Sequence, residues 1–164
     1  MEIWDILDIN GNKTGKTKIR GHKLNHSEYH LVIHVWIKNS KGQYLVQKRA
    51  ADLKVMPDIW AVTGGSAVSG EDSLTSVVRE VEEELGISID EKEFKFISRV
   101  TRGHGLVDVW FVEKDIDMDS FKLQKEEVAK VAYKLPEEII DMRDRKKFYD
   151  YGDAYFEMVW KYKS

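Results

Sequence analysis

The sequence predicts an α+β (mixed α/β) fold in which a mixed β-sheet lies between helices. Three observations predict it: strand-like segments precede a central amphipathic helix, further strand-like segments follow it, and an amphipathic segment lies near the end. The chain has 164 residues, of which 42% are hydrophobic, enough for one buried core. Because internal repeats, low-complexity tracts and linkers are lacking, we expect a single domain spanning residues 1–164.

The N-terminal half is predicted to be mostly β-structure. Apolar and polar residues alternate in its first segment, which ends in the turn-forming sequence Asn10-Gly11-Asn12. In the second segment the alternation is strict, with His30 and His34 on the same face. A turn at 39–42 then predicts a hairpin between the second and third segments. The predicted strands are 2–9, 29–37, 44–48 and 59–63, the last of which ends at Gly64-Gly65.

The central helix has clear signals at both ends. Asp72 or Ser73 is a suitable N-cap, and Gly86 is a typical residue to end a helix. Alternation predicts strands at 94–101, 107–113 and 128–133, and helical patterns predict helices at 136–142 and 148–162.

Composition and charge exclude several classes of function. The chain has no cysteine, which excludes disulfides, zinc–thiolate sites, iron–sulfur clusters and cysteine nucleophiles. The net charge of −3 argues against a nucleic-acid partner. The start of the chain is acidic and does not resemble a signal peptide, and the apolar run at 31–37 is too short to span a bilayer. We therefore expect a cytoplasmic protein without a membrane partner.

The central helix concentrates negative charge. Residues 71–84 contain six acidic residues and one arginine. At about 100° per residue, Glu83 and Glu84 lie within about 60° of Glu80, beside the apolar stripe. Like charges at this spacing repel one another unless a cation lies between them. Carboxylate ligands favour Mg²⁺ or Mn²⁺, although a solvated acidic face is an alternative interpretation.

A glycine-containing loop joins this helix to the preceding strand and extends the pattern. The fixed positions are Gly65, Glu71 six residues later, Arg79-Glu80-Val81, Glu83-Glu84 and Gly86-Ile87. This order resembles the Nudix box, G-x5-E-x7-R-E-U-x-E-E-x-G-U with U aliphatic, and residues 65–87 match it at every fixed position.

The resemblance implies a Nudix fold, in which the box forms a loop–helix–loop. It implies hydrolysis of a small-molecule substrate, a nucleoside diphosphate linked to another moiety, with Mg²⁺ or Mn²⁺ as cofactor. Glu80, Glu83 and Glu84 would be catalytic residues that hold the metal together with the backbone carbonyl of Gly64. The other fixed residues, Gly65, Glu71, Arg79 and Gly86, would be structural.

Two residues outside the box are further candidates. The resemblance implies a fourth catalytic carboxylate, for which Glu127 is preferred over Glu126 because it adjoins a predicted strand; two exposed acids in a charged loop are the alternative. Arg49 is a candidate for binding the substrate phosphate, since its planar fork suits that geometry. Trp36 and Trp60 could stack on a base, but aromatic residues in strands more often belong to the core. The sequence leaves open which carboxylate is the general base, the substrate's identity, and whether the protein forms a homodimer.

The N-terminal half is also similar to the isopentenyl-diphosphate isomerase type of Nudix protein, through residues 5–10 and through His22 and His30. That enzyme has a cysteine and a histidine where this chain has Gly64 and Ser66. Since isomerisation needs a positioned acid and base, isomerase chemistry is disfavoured. It remains an alternative, as does a non-catalytic nucleotide-binding module. His22 and His30 could be relics, structural residues or a second metal site.

Overall fold

A computed structural model describes residues 1–163. Strands β1 to β6 lie before the first helix, and three further strands precede the last two helices. The elements are β1 (Ile3–Leu7), β2 (Lys13–Ile19), β3 (His30–Lys38), β4 (Tyr44–Arg49), β5 (Trp60–Ala61), β6 (Thr63–Ser66), α1 (Ser73–Leu85), β7 (Lys95–Arg102), β8 (Gly105–Glu113), β9 (Val128–Lys134), α2 (Pro136–Asp144) and α3 (Asp153–Lys161). None of the helices in this described range is both long and apolar enough to cross a membrane.

The main sheet has seven strands and is mixed. Strands follow the order β5-β4-β3-β8-β7, while β6 pairs with β3 and β9 pairs with β4. The β3–β8 pair is parallel over its whole length, and the other pairs are antiparallel. The predicted turn at 39–42 is present, but β3 and β4 are paired only at Lys38 and Tyr44. The hairpin opens there because β6 occupies the edge of β3 at Val32–Val35.

Helices cover both faces of this sheet, as the predicted fold class requires. On one face, Ile33 and Val35 of β3 pack with Val77 and Val81 of α1. On the other face, Trp36 and residues of β8 pack with α3. Alternation along β3 therefore sends successive side chains into two separate cores.

Three sequence predictions need correction. Strand β2 was not predicted because its residues are mostly polar and exposed, so they show no apolar alternation. The predicted strand 59–63 is two strands, and the second continues through Gly64-Gly65 because it pairs with β3. The last helix begins at Asp153 instead of 148, since Phe148 forms a bridge with Trp60 and Gly152 has a φ of 95°.

Strands β1 and β2 form a separate two-stranded hairpin that contacts the loop before α1. The Asp5 carboxylate accepts hydrogen bonds from the Ser69 hydroxyl at 2.6 Å and the Gly70 N–H at 2.8 Å. The Ile3 carbonyl accepts one from the Ser69 N–H at 2.7 Å, and Lys13 lies 3.2 Å from Asp5. The hairpin thereby holds the loop that leads into the acidic helix.

Replacing Asp5 with Asn removes a charged hydrogen-bond acceptor. At pH 7 we expect the free energy of unfolding to fall by about 1 kcal/mol and the melting temperature by about 2–4 °C. Burial raises the pKa of Asp5, but the bonds from Gly70 and Ser69 and the nearby Lys13 outweigh it, so the net pKa is lowered. A lowered pKa stabilises the fold above about pH 4, and this contribution disappears as pH falls through the folded-state value. The difference in melting temperature between Asp5→Asn and the wild type should therefore shrink as the pH is lowered from 7 to 2. The control Asp119→Asn, at an exposed position, should have the melting temperature of the wild type at every pH. A deficit that does not depend on pH would contradict this role.

Candidate active site

The ends of α1 agree with the sequence prediction. The Asp72 side chain caps the helix by accepting a hydrogen bond from the Thr75 N–H at 2.8 Å. Gly86 ends it in the left-handed conformation, with a φ of 66°. A Cβ on Gly86 would lie 2.3 Å from the Lys122 carbonyl oxygen, so both the backbone conformation and the close packing require glycine.

Arg79 joins the loop to the helix. Its Nε and Nη2 donate to the two carboxylate oxygens of Glu71 at 2.6 and 3.0 Å, and Nη2 also donates to the Ser66 carbonyl at 3.2 Å. Nη1 donates to Glu83 at 3.0 Å and lies 3.2 Å from Glu80. One guanidinium therefore neutralises part of the charge of three carboxylates and fixes the loop against α1.

The three carboxylates predicted to bind metal have different environments. Glu80 and Glu84 are only 6% and 9% exposed, whereas the side chain of Glu83 is 50% exposed and faces Arg79. Burial, which penalises the charged form, raises the pKa of Glu80 to about 7 and that of Glu84 to about 8. Within residues 1–163, no three acidic or imidazole groups are close enough together to form a ready metal site. Glu80 and Glu84 are thus the buried members of the acidic face, and the more exposed Glu83 shares the Nη1 atom of Arg79 with Glu80.

Gly65 allows the Glu80 carboxylate to approach the backbone of β6. A Cβ at position 65 would lie 2.4 Å from Glu80 Oε1, which explains why glycine is needed there. The neighbouring Gly64 pairs with His34 in the ladder of β3 and β6. The Gly64 and Gly65 backbone thus lies beside the buried end of the acidic face.

The residues present fit a divalent cation. Glu84 is paired with a neutral partner, since its Oε1 accepts a hydrogen bond from the Gln47 amide at 3.0 Å. Within residues 1–163, the cationic partner of Glu80 is Arg79 alone, which is shared with Glu71 and Glu83. Two buried carboxylates with so little compensating charge are costly, and oxygen donors suit Mg²⁺ or Mn²⁺.

Both candidates outside the box lie near this pair. Glu127 is half-buried at the start of β9, and its negative charge contributes to raising the pKa of Glu84, whereas Glu126 is exposed. The Gln124 N–H donates to the Glu84 carbonyl at 3.0 Å, which connects the turn before β9 to the end of α1. The positive charge of Arg49 has the opposite effect on the pKa of Glu84 and lowers it.

Arg49 supports a loop as well. Its Nε donates to the Met56 carbonyl at 3.1 Å and its Nη2 to the Val55 carbonyl at 2.9 Å. These bonds hold Val55 and Met56 in place, and Met56 lines the cavity described next.

A cavity of about 350 Å³ lies on the sheet face opposite α1 and reaches the Gly64-Gly65 backbone. It is lined by apolar side chains together with basic, imidazole and tyrosine groups, and none of its lining residues is acidic. The polar lining residues are Arg49, Arg102, His30, His34, His104, Tyr149 and Tyr151. Such a lining suits an anionic ligand.

Two histidines of this cavity have lowered pKa values. His34 is hydrogen-bonded to the Tyr155 hydroxyl at 2.7 Å, and His30 stacks on Trp4 with ring centroids 3.7 Å apart. Burial lowers the pKa of His34 to about 3 and that of His30 to about 4, so both are neutral near pH 7. His22, by contrast, is exposed and does not line the cavity.

The two tryptophans considered for base stacking belong to the core. Trp36 is fully buried and donates from Nε1 to the Tyr155 hydroxyl at 2.9 Å, so it cannot stack on a ligand. Trp60 packs against the same core, with the Lys130 ammonium 5.7 Å from its ring.

Sequence reasoning missed Arg102, His104, Tyr149 and Tyr151. These residues come from the β7–β8 turn and from the segment before α3, far from the box in sequence. The only local signal was an arginine at the end of an alternating strand, followed by Gly103.

Comparison with known proteins identifies the family. A protein-family model described as the NUDIX domain matches residues 28–156. The chain belongs to the Nudix family. It is 45% identical over 152 residues to an uncharacterised Nudix hydrolase of Listeria monocytogenes, covering 92% of this chain and 90% of that protein. The Nudix hydrolase assignment therefore extends over almost the whole chain.

The isomerase resemblance is partial, and the structural neighbours confirm the Nudix fold. An isopentenyl-diphosphate Delta-isomerase of Escherichia coli is 31% identical over 107 residues, covering 63% of this chain and 59% of that enzyme. A crystal structure from Deinococcus radiodurans matches with a TM-score of 0.80 at 19% identity, covering 99% of this chain and 100% of that one. The NUDIX domain of Shewanella oneidensis NrtR, crystallised with ADP ribose, matches with a TM-score of 0.64 at 12% identity, covering 87% and 90%.

Proposed function

We propose that this Nudix protein is a metal-dependent hydrolase that cleaves the pyrophosphate bond of a nucleoside diphosphate linked to another moiety. The observation that carries the proposal is the position of the buried Glu80 and Glu84 carboxylates. Glu80 lies beside the Gly65 backbone, one helical turn before Glu84, and the Gly64-Gly65 segment also lines a cavity without acidic residues. A site for a cation and a site for an anionic ligand thus share one segment of backbone.

The metal ligands in this proposal are Glu80, Glu83, Glu84 and the Gly64 carbonyl oxygen. A bound Mg²⁺ or Mn²⁺ would polarise the phosphoryl oxygens and lower the pKa of a water molecule. Arg79 orients Glu80 and Glu83 and neutralises part of their charge. Glu127 lies near Glu84 and is a candidate for accepting the proton of the attacking water, and Arg49 is a candidate for binding a phosphate.

The ADP-ribose complex of the Shewanella oneidensis domain supports a nucleotide-type small molecule as the substrate class. The absence of acidic lining residues supports the same class, because a diphosphate carries at least two negative charges near pH 7.

The second candidate is an isopentenyl-diphosphate isomerase, which the Escherichia coli relative favours. Isomerisation adds and removes protons at carbon and needs an acid and a base on the two sides of the substrate. At the two positions where that enzyme type has cysteine and histidine, this chain has Gly64 and Ser66, both within β6. The hydrolase therefore agrees better with the residues of this site.

A side-by-side assay tests the choice. Nucleoside di- and triphosphates, nucleotide sugars, dinucleoside polyphosphates, ADP-ribose and isopentenyl diphosphate are each incubated with the protein and Mg²⁺ or Mn²⁺, and the products are followed by NMR. We expect at least one nucleoside-diphosphate compound to be cleaved at its pyrophosphate only when metal is present. Formation of the dimethylallyl isomer without cleavage of any nucleotide would overturn the proposal. If every substrate remained unchanged, the protein would be a binding module.

A further inference from the structure

The loop before α1 contains positions that the Nudix pattern leaves free. These are the five residues 66–70. The Ser66 carbonyl accepts a hydrogen bond from the Arg79 guanidinium at 3.2 Å, and the Val68 N–H donates to the Glu71 carboxylate at 2.9 Å. Fixed residues of the pattern therefore hold the first part of this loop, as far as Val68.

The N-terminal hairpin β1–β2 holds the last two residues of the loop. The Asp5 carboxylate accepts hydrogen bonds from the Ser69 hydroxyl and the Gly70 N–H, and the Ile3 carbonyl accepts one from the Ser69 N–H. Both loop residues are exposed, so these bonds fix them more than packing does. Glycine restricts its own backbone less than any other residue, so the conformation of Gly70 depends on this contact. The hairpin precedes residues 28–156, which the family model matches, so this support lies outside the Nudix pattern.

The hairpin is itself fixed to the main sheet. Leu7 and Tyr29 exchange backbone hydrogen bonds at 2.8 and 3.0 Å immediately before β3 begins. The Trp4 ring stacks on the His30 ring with the two planes only 2° apart. Asp5 lies between these two anchored residues, so the hairpin can support the loop rigidly.

The end of the loop leads directly to the residues that orient the proposed metal ligands. Gly70 precedes Glu71, whose two carboxylate oxygens accept hydrogen bonds from Arg79 at 2.6 and 3.0 Å. The same guanidinium donates to Glu83 and lies 3.2 Å from Glu80. A shift at Gly70 would therefore move Glu71, and with it the group that orients the two ligands.

We propose that Asp5 is a positioning residue for the metal site, acting through Ser69 and Gly70 on the Glu71–Arg79 pair. This inference rests on the proposed function and goes beyond it, because it adds a residue from outside the region shared with the family. Removing a residue that directly orients a metal ligand typically costs about 10–100-fold in metal affinity. Asp5 acts through such residues, so we expect Asp5→Asn to weaken Mn²⁺ binding less, by about 3–10-fold.

Titration of the substrate-free protein with Mn²⁺, followed by EPR, tests this role without catalysis. The sharp signal of free Mn²⁺ broadens when the ion binds, so the titration gives a dissociation constant for each variant. Ser69→Ala removes one of the two donors to Asp5 and should weaken Mn²⁺ binding less than Asp5→Asn does. The double variant should lose less than the product of the two separate losses, since both changes break the same contact.

Glu138→Gln is the matched control. Its carboxylate also accepts a hydrogen bond from a backbone N–H, that of Leu135 at 2.8 Å, but it lies at the start of α2. The control should lower the melting temperature by a similar amount to Asp5→Asn and bind Mn²⁺ as the wild type does. At one fixed concentration, Mn²⁺ should therefore raise the melting temperature of Asp5→Asn less than that of Glu138→Gln.

Three results would overturn the positioning role: unchanged Mn²⁺ affinity in Asp5→Asn, an equal loss in Glu138→Gln, or losses that simply multiply in the double variant. If Asp5→Asn does not fold, Ser69→Ala takes its place, and wild-type affinity in that variant would overturn the role. These results differ from a failure of the proposed function, in which the wild-type protein itself would not bind Mn²⁺. That failure would overturn both proposals, whereas the three results above would leave the metal site in place.

Discussion

Glu84→Gln is expected to reduce turnover of the nucleotide substrate by about 10²–10³-fold, the loss typical when one group that stabilises the charge of a transition state is removed. The proposed site loses one of its anionic metal ligands, while the amide keeps the shape of the side chain. The same change should raise the melting temperature of the metal-free protein near pH 7, because folding must either bury the charge of Glu84 beside a neutral amide or protonate it, as its raised pKa of about 8 indicates. Steady-state kinetics at saturating Mg²⁺ and thermal unfolding without metal measure the two effects.

Two neighbouring variants make this test specific. Glu83→Gln should reduce turnover to a similar degree without stabilising the metal-free protein, since Glu83 is half-exposed and already paired with Arg79. Glu82→Gln is the matched control, because Glu82 is exposed on the same helix and lies outside the Nudix pattern. A folded Glu84→Gln protein with nearly normal turnover would remove the basis of the proposed metal site.

Arg79→Gln is expected to lower the melting temperature by about 5–10 °C. Removing one partner of a buried ion pair costs about 3–5 kcal/mol. We expect the free energy of unfolding to fall by about 2–3 kcal/mol here, because the side chain of Arg79 is 23% exposed and water screens part of the interaction. The variant leaves Glu71, which is 12% exposed, and the buried Glu80 without their cationic partner.

A double-mutant cycle separates this charge effect from lost packing. Arg79→Gln combined with Glu71→Gln should be more stable than the sum of the two single losses implies, since neither member of the pair is then left charged. Arg145→Gln serves as the control for removal of an exposed arginine. Strictly additive losses, or a melting temperature unchanged by Arg79→Gln, would contradict the structural role assigned to Arg79.

The parts of the fold that were predicted best are determined by local interactions. The N-cap at Asp72 and the C-cap at Gly86 depend on residues within one turn of each helix end, so the sequence contains the complete signal for α1. The alternation of β3 likewise predicts the strand and the two faces it presents. Strand β2 lacked such a signal, because its pairing with β1 does not bury apolar side chains.

The site was only partly predictable, because some of its geometry depends on contacts between residues that are distant in the sequence. Helical periodicity correctly places Glu80 and Glu84 beside the core, but the direction of Glu83 depends on Arg79, whose own position depends on Glu71 in the preceding loop. The cavity on the other face requires the β7–β8 turn and the segment before α3 to meet at Gly64-Gly65. No short pattern contains that information, which is why Arg102 and Tyr151 were missed.

The position of a bound metal tests the central claim most directly. Crystals of the protein soaked in Mn²⁺ and measured at a wavelength where manganese scatters anomalously locate the ion without reference to any assumed ligand. We expect an anomalous peak within about 2.0–2.4 Å of oxygens of Glu80, Glu83 and Glu84 and of the Gly64 carbonyl, the distances usual for a hard divalent cation. The peak should be lost in Glu84→Gln and retained in Glu82→Gln. A peak held elsewhere on the surface, or none at these carboxylates at millimolar Mn²⁺, would contradict the account.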